Sequence, residues 1–355
     1  MNPELCILVT GAGAPGVAGT LYALRSHKTT VRLRLVLVDA NPRAVGRAWS
    51  DAFHQVPHGS APGYMERMLE VCRAEGVQVI LPQTTAEVAF LSANRGVFEA
   101  AGARVVAGSG AAIDAANNKY TLVRTFERLG LPHPMYQLCR NTSDLRAFAS
   151  KIGYPGAPFV VKPPVSNGMR GYRKVTPSLM TLEAFLKEKP SGETMPLDEL
   201  CDVLSSGAQF PEMLATEYLP GPEYTVDAFL GTRGALALPR LRRSIRSGIS
   251  FDNVIERRRD MEDCTIEAAR ALGLTGTFGF QFKLDAQGVP KVLECNPRVQ
   301  GTMVASLFTG VNLIWLAVRY ALGEEPDIPS PTADSVEFQR YWGGVAFLPG
   351  ATQVI

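Results

Sequence analysis

No two of the six cysteines lie close together: Cys6, Cys72, Cys139, Cys201, Cys264 and Cys295 are scattered along 355 residues. That spacing excludes a zinc motif or a redox pair and leaves buried, incidental thiols as the reading. An excess of one charge is also lacking. The formal net charge is +2, so no basic field argues for nucleic acid or for an anionic membrane, and a small-molecule substrate is the expectation. Long apolar runs are equally scarce. The longest, Met303 to Leu322, is interrupted by Thr309, Gly310, Asn312 and Arg319, and reads as a buried helix rather than a bilayer span. The first residues run into a strand pattern without a basic segment and cleavage site, so a cytoplasmic location is expected.

What is present is alternation. Leu5 to Thr10, Leu33 to Asp39, Val77 to Leu81 and Ala103 to Ala107 read as strands, with a helix at Val17 to Arg25. This pattern predicts an α/β region with a doubly wound parallel sheet. After a helix at Lys119 to Leu129, Pro132 and Pro134 break the chain. Beyond them Pro158 to Lys162, Met213 to Tyr218, Tyr224 to Leu230 and Leu236 to Ser244 read as strands of an α+β region. Ser191 to Pro211 reads as a surface insertion with one helix, Leu197 to Leu204. Thr277 to Leu284 and Val289 to Glu294 form a hairpin around Asp285-Ala286-Gln287-Gly288.

Four constellations carry chemistry. Glu294 and Asn296 are alternate residues of one strand and point together. A pairing of Leu284 with Val289 brings Gln281 opposite Val292, beside Glu294, and three oxygen donors of this kind suit magnesium; the alternative is an Asn-Pro turn that ends an edge strand with Glu294 solvated. Arg298 follows, placed for phosphate. Phe159 to Lys162 is an apolar strand ending in lysine, and it meets the loop Ser166-Asn167-Gly168-Met169-Arg170-Gly171. The lysine can reach triphosphate oxygens while the loop closes over them, although no Walker A spacing is present. The bend Glu217-Tyr218-Leu219-Pro220-Gly221-Pro222-Glu223 reads either as an ordinary turn or as one that frees backbone groups of Tyr218 and Leu219 for a purine edge and sets out two carboxylates. Arg240, Arg242, Ser244 and Arg246 alternate on one strand face, either as an acid or phosphate cradle or as a charged, solvated edge. Separately, Gly11-Ala12-Gly13-Ala14-Pro15-Gly16 with Asp39 reads either as a dinucleotide turn or as a tight strand-to-helix corner.

Lys119, Lys162 with its loop, Glu217 to Asp227, Gln281 and Glu294-x-Asn296-x-Arg298 together resemble the ATP-grasp superfamily, in particular the carbamoyl phosphate synthetase large-subunit type, over nearly the whole chain. The resemblance implies a Rossmann-like pre-ATP-grasp domain at 1–112 whose glycine turn binds no dinucleotide. It implies a two-part ATP-grasp fold at 113–323 with a lid near 134–218, and a C-terminal extension at 324–355. By similarity Lys119, Lys162, Ser166, Gly168 and Gly171 hold ATP phosphates. Glu217, Tyr218 and Leu219 hold adenine, and Glu223 the ribose. Gln281, Glu294 and Asn296 hold magnesium, with manganese as a substitute. Arg240, Arg242 and Arg298 neutralise the transferring phosphate or the acid. One such unit stands where carbamoyl phosphate synthetase has two in tandem. The expected activity is therefore a free-standing ligase that activates a small carboxylic acid as an acyl phosphate and joins it to an amine; the oligomeric state stays open, a homodimer being common among the proteins it resembles. A nicotinamide-dependent oxidoreductase or epimerase, and a non-catalytic ATP-binding regulator, are the alternatives.

Overall fold

The computed structural model describes residues 4–27, 31–59, 61–166, 168–177, 193–246, 248–348 and 351–354. Asn167 of the glycine loop, Ser191 and Gly192 of the insertion, and Pro349, Gly350 and Ile355 of the C-terminal extension lie outside them. The chain divides into two compact units. One comprises Met1–Ala116, Pro222–Phe282 and Cys295–Ile355; the other comprises Asn117–Gly221 and Lys283–Glu294.

The first unit opens with β1 (Glu4–Val9), α1 (Val17–Arg25), β2 (Arg32–Asp39), β3 (Ala52–Gln55), α2 (Tyr64–Glu75), β4 (Val79–Leu81), α3 (Thr85–Ala93), α4 (Arg95–Ala100), β5 (Arg104–Val105) and α5 (Gly110–Asn117). Its strands form a parallel sheet of order β3-β2-β1-β4-β5. This is the doubly wound sheet expected from the alternation. Leu5, Ile7 and Val9 enter one core with Leu21 and Leu24 of α1, while Cys6 and Leu8 enter another with Met68 and Val71 of α2. Burial of both faces is why β1 is apolar throughout rather than alternating. The strand order reverses between β1 and β4.

The second unit carries α6 (Lys119–Arg128), β6 (Tyr136–Cys139), α7 (Thr142–Ile152), β7 (Phe159–Lys162), β8 (Arg173–Val175), β9 (Thr194–Met195), α8 (Leu197–Ser205) and β10 (Met213–Glu217). The sheet order is β6-β10-β7-β8-β9, with β7 central and all four of its residues buried. Phe148, Phe159, Val161, Leu200 and Met213 share its core. The Asn118 side chain accepts from the amides of Tyr120 (3.0 Å) and Thr121 (3.1 Å), which caps α6 and makes Lys119 its first residue.

The first unit resumes with β11 (Glu223–Leu230), β12 (Ala235–Arg246), β13 (Ile249–Ile255), α9 (Arg259–Ala271), β14 (Gly276–Leu284), β15 (Pro290–Asn296), a 3-10 helix (Met303–Thr309), α10 (Leu313–Ala321), β16 (Val336–Gln339), β17 (Val345–Leu348) and β18 (Ala351–Val354). A six-stranded sheet has the order β15-β14-β11-β12-β13-β16, and β17 pairs with β18. The division between units crosses β14 after Phe282 and β15 after Glu294.

Three expectations need correction. The Met303 to Leu322 run is not one helix but two, bent by 105°, because Gly310 takes φ +88° and Asn312 starts α10 by accepting from the Trp315 amide. Among the described residues no single helix is long and apolar enough to cross a membrane. The hairpin closes through Asp285 N donating to Val289 O (3.0 Å), so Asp285 rather than Leu284 faces Val289. Asp285 Oδ1 accepts from the amides of Gln287 and Val289, and Gly288 takes φ +80°, which favours the three-residue loop. The pairing that set Gln281 opposite Val292 is therefore not the one present. Finally, β12 is an interior strand, so its arginines do not guard an edge, and irregular pairing with β13 between Arg242 and Ile245 ends the alternation. Arg246 is exposed and stacks on Phe251 at 4.8 Å.

Candidate active site

In the second unit two buried ammonium groups converge. Lys119, 6% exposed, donates to Ser166 O at 2.9 Å and stands 3.8 Å from Glu294 Oε2. Lys162 ends β7, is 8% exposed, and donates to Leu293 O at 3.0 Å. Leu293 and Glu294 are consecutive in β15, so both lysines reach one short stretch of strand. Burial lowers the Lys119 pKa, with Glu294 opposing it. Beside Ser166 the loop is wound through Gly168 at φ +59°, Met169 at φ +60° and Gly171 at φ +75°. A left-handed methionine costs roughly 1–3 kcal/mol and marks a conformation that the surroundings impose. A Cβ on Gly171 would lie 2.7 Å from Pro163 Cγ, so that position is restricted to glycine.

Glu217 ends β10. Its Oε1 accepts from Met135 N (3.0 Å) and from Lys291 Nζ (2.6 Å). Burial lowers the Lys291 pKa, but Glu217 and Asp285 outweigh it and hold the group above its usual value. The Tyr218 ring has Lys174 Nζ at 4.1 Å and Lys283 Nζ at 5.3 Å from its centroid. Leu219 is buried, and the bend beyond it is tight: a Cβ on Gly221 would lie 2.7 Å from Leu284 Cβ. Lys174, Lys283 and Lys291 were missed in the sequence. Lysine at a strand end gives no signal until the facing strand is known.

In the first unit, Arg242 is the hub for Glu223 and Gln281. Its Nη1 donates to the Glu223 carboxylate and lies 3.4 Å from Gln281 Oε1; Nε donates to Ser250 Oγ (2.7 Å) and Nη2 to Gly248 O (2.6 Å). Arg240 is 1% exposed, with Nε donating to Asp227 Oδ2 (3.0 Å) and Nη1 to Asn253 Oδ1 (2.7 Å). It is thus an interior ion pair in this unit. Arg298 lies 3.4 Å from Asn296 Oδ1 and 3.4 Å from Thr85 Oγ1, at the start of α3.

The glycine turn is filled by the protein itself. A Cβ on Gly16 would lie 2.4 Å from Gly301 Cα. Both Asp39 oxygens accept backbone amides, from Gly13 (2.7 Å) and Asn41 (2.8 Å). Close packing and a capped corner account for Gly13, Gly16 and Asp39, which takes away the support for a nicotinamide cofactor.

The surroundings of Lys119 fit a phosphate. Lys119 is a buried cation whose partners are a carbonyl, a hydroxyl and one distant carboxylate, so it suits phosphate oxygens. Among the described residues no three histidine, cysteine or carboxylate side chains gather for a metal. Of the oxygens expected to hold magnesium, Gln281 Oε1 lies 3.4 Å from Arg242 Nη1 and Asn296 Oδ1 lies 3.4 Å from Arg298 Nη2; one carboxylate with amide oxygens is a donor set of the kind magnesium takes, since it keeps much of its coordination for water and phosphate.

Residues 7–106 match the family described as PylC-like, N-terminal domain, and residues 209–341 match ATP-grasp in the biosynthetic pathway with Ter operon. The chain thus carries a PylC-like N-terminal domain and an ATP-grasp domain. It is homologous to carbamoyl phosphate synthase large chains. That of Rubrobacter xylanophilus is 28% identical over 345 residues, covering 91% of this chain and 30% of the relative. The chain therefore spans about a third of the length of that relative. Biotin carboxylase from Campylobacter jejuni, solved as a β,γ-ATP complex, superposes with a TM-score of 0.68 at 18% identity, over 92% of this chain and 72% of that one. N5-carboxyaminoimidazole synthetase from Staphylococcus aureus, solved with ADP, gives 0.67 at 14% identity, over 92% and 80%. These two share the fold.

Proposed function

We propose that the protein is an ATP- and magnesium-dependent ligase that phosphorylates a small carboxylic acid and couples the acyl group to an amine, releasing ADP and phosphate. The observation that carries this reading is the convergence of Lys119 and Lys162, both buried, on Leu293 and Glu294. A carboxylate is a poor electrophile because its charge is delocalised and oxide is a bad leaving group. Transfer of the γ-phosphoryl group to the acid oxygen corrects both faults.

In this reading Lys119 and Lys162 hold the ATP phosphates and offset charge as it spreads in the transition state. The Ser166–Gly171 loop covers them. Glu217, Tyr218 and the backbone at Leu219 meet the adenine, and Glu223, set by Arg242, meets the ribose. Glu294, Asn296 and Gln281 would hold magnesium, which would offset negative charge on the phosphates when bound. Arg298 orients the phosphate or the acid, with Arg242 beside Gln281 adding positive charge. Arg240 acts at a distance, by fixing Asp227. The amine then attacks the carbonyl carbon and phosphate leaves, in a site that keeps water from the acyl phosphate.

The test is acid-dependent ADP formation by wild type and by Glu294→Ala. Loss of turnover in the variant, with the fold retained, supports the assignment; unchanged ATP-dependent product formation would sink it.

A further inference from the structure

Glu217 ends β10 with its two carboxylate oxygens in unlike surroundings. Oε1 takes two donors, Met135 N at 3.0 Å and Lys291 Nζ at 2.6 Å. Among the described residues none donates to Oε2, and the side chain is 22% exposed, so the carboxylate is reachable from outside the chain. Lys291 is itself held from the other side, with Nζ 3.4 Å from Asp285 Oδ2. Asp285 in turn caps the hairpin loop by accepting from the amides of Gln287 and Val289. A lysine ammonium is a point charge on a flexible stem, and two carboxylates on it fix where that charge stands.

Lys174 and Lys283 lie over the Tyr218 ring, at 4.1 and 5.3 Å, so among the described residues Lys291 is the side-chain cation that pairs with Glu217. Farther along the same strand, β15 presents Leu293 O to Lys162 and Glu294 to Lys119. One strand therefore sets the Glu217 carboxylate and both buried ammonium groups in a single frame. An ionised carboxylate whose Oε1 is taken up by donors offers Oε2 as an acceptor and as nothing else. The exocyclic amine of adenine donates to such an oxygen, whereas guanine and hypoxanthine carry a carbonyl oxygen in its place, which sets lone pair against lone pair. Discrimination of this kind needs a carboxylate that cannot swing clear of the wrong base. A strap between β10 and the hairpin is the simpler account of the pair, but ion pairs this exposed contribute little to stability.

We propose that Lys291 is a positioning residue that sets base selection: it fixes Glu217 so that the site accepts a base with an exocyclic amine and rejects one with a carbonyl at that position. The inference rests on the nucleotide part of the ligase reading, which puts Glu217 at the adenine, and adds the residue on which selectivity depends. Lys291 acts through Glu217 and does not itself touch the base.

The test is calorimetric titration of the full chain, in magnesium, with ATP and with ITP, whose base has a carbonyl where adenine has its amine. Wild type should bind ATP about 100-fold more tightly than ITP, and Lys291→Met should reduce that ratio about tenfold, chiefly by weakening ATP. Lys291→Arg, which keeps a cation beside Glu217, should restore most of the ratio. In a Glu217→Gln background, adding Lys291→Met should leave the ratio where it is, as a residue acting through Glu217 requires; a strap would change stability alone. Lys291→Gln takes the place of Lys291→Met should that variant fail to fold. A wild-type ratio in a folded variant that lacks the lysine charge, a wild type with no preference for ATP, or separate losses that add in the double variant overturns the inference. Lack of ATP binding by wild type overturns it together with the nucleotide site. ATP binding without acid-dependent ADP formation overturns the ligase reading and leaves base selection by Lys291 standing.

Discussion

Lys119 Nζ stands 3.8 Å from Glu294 Oε2, with the lysine only 6% exposed. The ammonium is held less tightly in the folded chain than in the unfolded one, because burial lowers its pKa from 10.5 and Glu294 restores only part of the loss. The unfolded chain then binds more protons, so this residue makes stability rise with pH between the folded value and the ordinary one. Lys119→Met removes the buried charge. Its urea midpoint at neutral pH should equal or exceed that of wild type, with a shallower rise towards alkaline pH, while ATP turnover falls by ~100-fold. A midpoint well below wild type would contradict the first part, and retained turnover the second.

Glu217 joins Met135 N and Lys291 Nζ at the end of β10. Glu217→Gln keeps an acceptor and loses the charge. The KM for ATP should rise about tenfold, equivalent to about 1.4 kcal/mol, with kcat changed by less than threefold. Initial rates over a range of ATP concentrations separate the two parameters; a fall confined to kcat would move Glu217 away from the adenine.

Arg240 and Asp227 are a wholly buried pair. Arg240→Met leaves Asp227 without its guanidinium partner and should cost about 3–5 kcal/mol in chemical denaturation, whereas Arg240→Met with Asp227→Leu should recover most of it. Equal losses in the single and double variants would show that the pair does not act as a unit.

Gly16 faces Gly301 so closely that an added Cβ would be 2.4 Å from a backbone atom. Gly16→Ala should lower stability by about 1–3 kcal/mol through overpacking. Thermal unfolding measures this. A neutral substitution would reopen the ligand reading of the turn.

Much of the candidate site could be proposed from the sequence because its parts are local. Asn118 before Lys119, Phe159 to Lys162, and Glu294-x-Asn296-x-Arg298 each combine a chemical group with the strand or helix end that aims it. Relations between distant segments were not legible. Gly16 reads as a phosphate glycine until Gly301 is seen against it, and Asp39 as a ribose acceptor until both its oxygens are found on amides. Arg240 and Arg242 looked alike on an alternating strand, yet one is closed into an ion pair with Asp227 while the other touches Glu223 and Gln281. The hairpin register turned on one side chain, since Asp285 caps the loop and moves the pairing by a residue.

The most direct measurement of the central claim is hydroxylamine trapping. The purified protein is incubated with ATP, magnesium, hydroxylamine and a pool of carboxylic acids, and hydroxamate is scored together with ADP and phosphate, with Lys162→Ala as control. Acid-dependent hydroxamate matched by ADP, both abolished in the control, is the expected result. ATP binding with neither product from any acid in the pool would contradict acyl-phosphate chemistry and leave a nucleotide-binding protein without the ligase step.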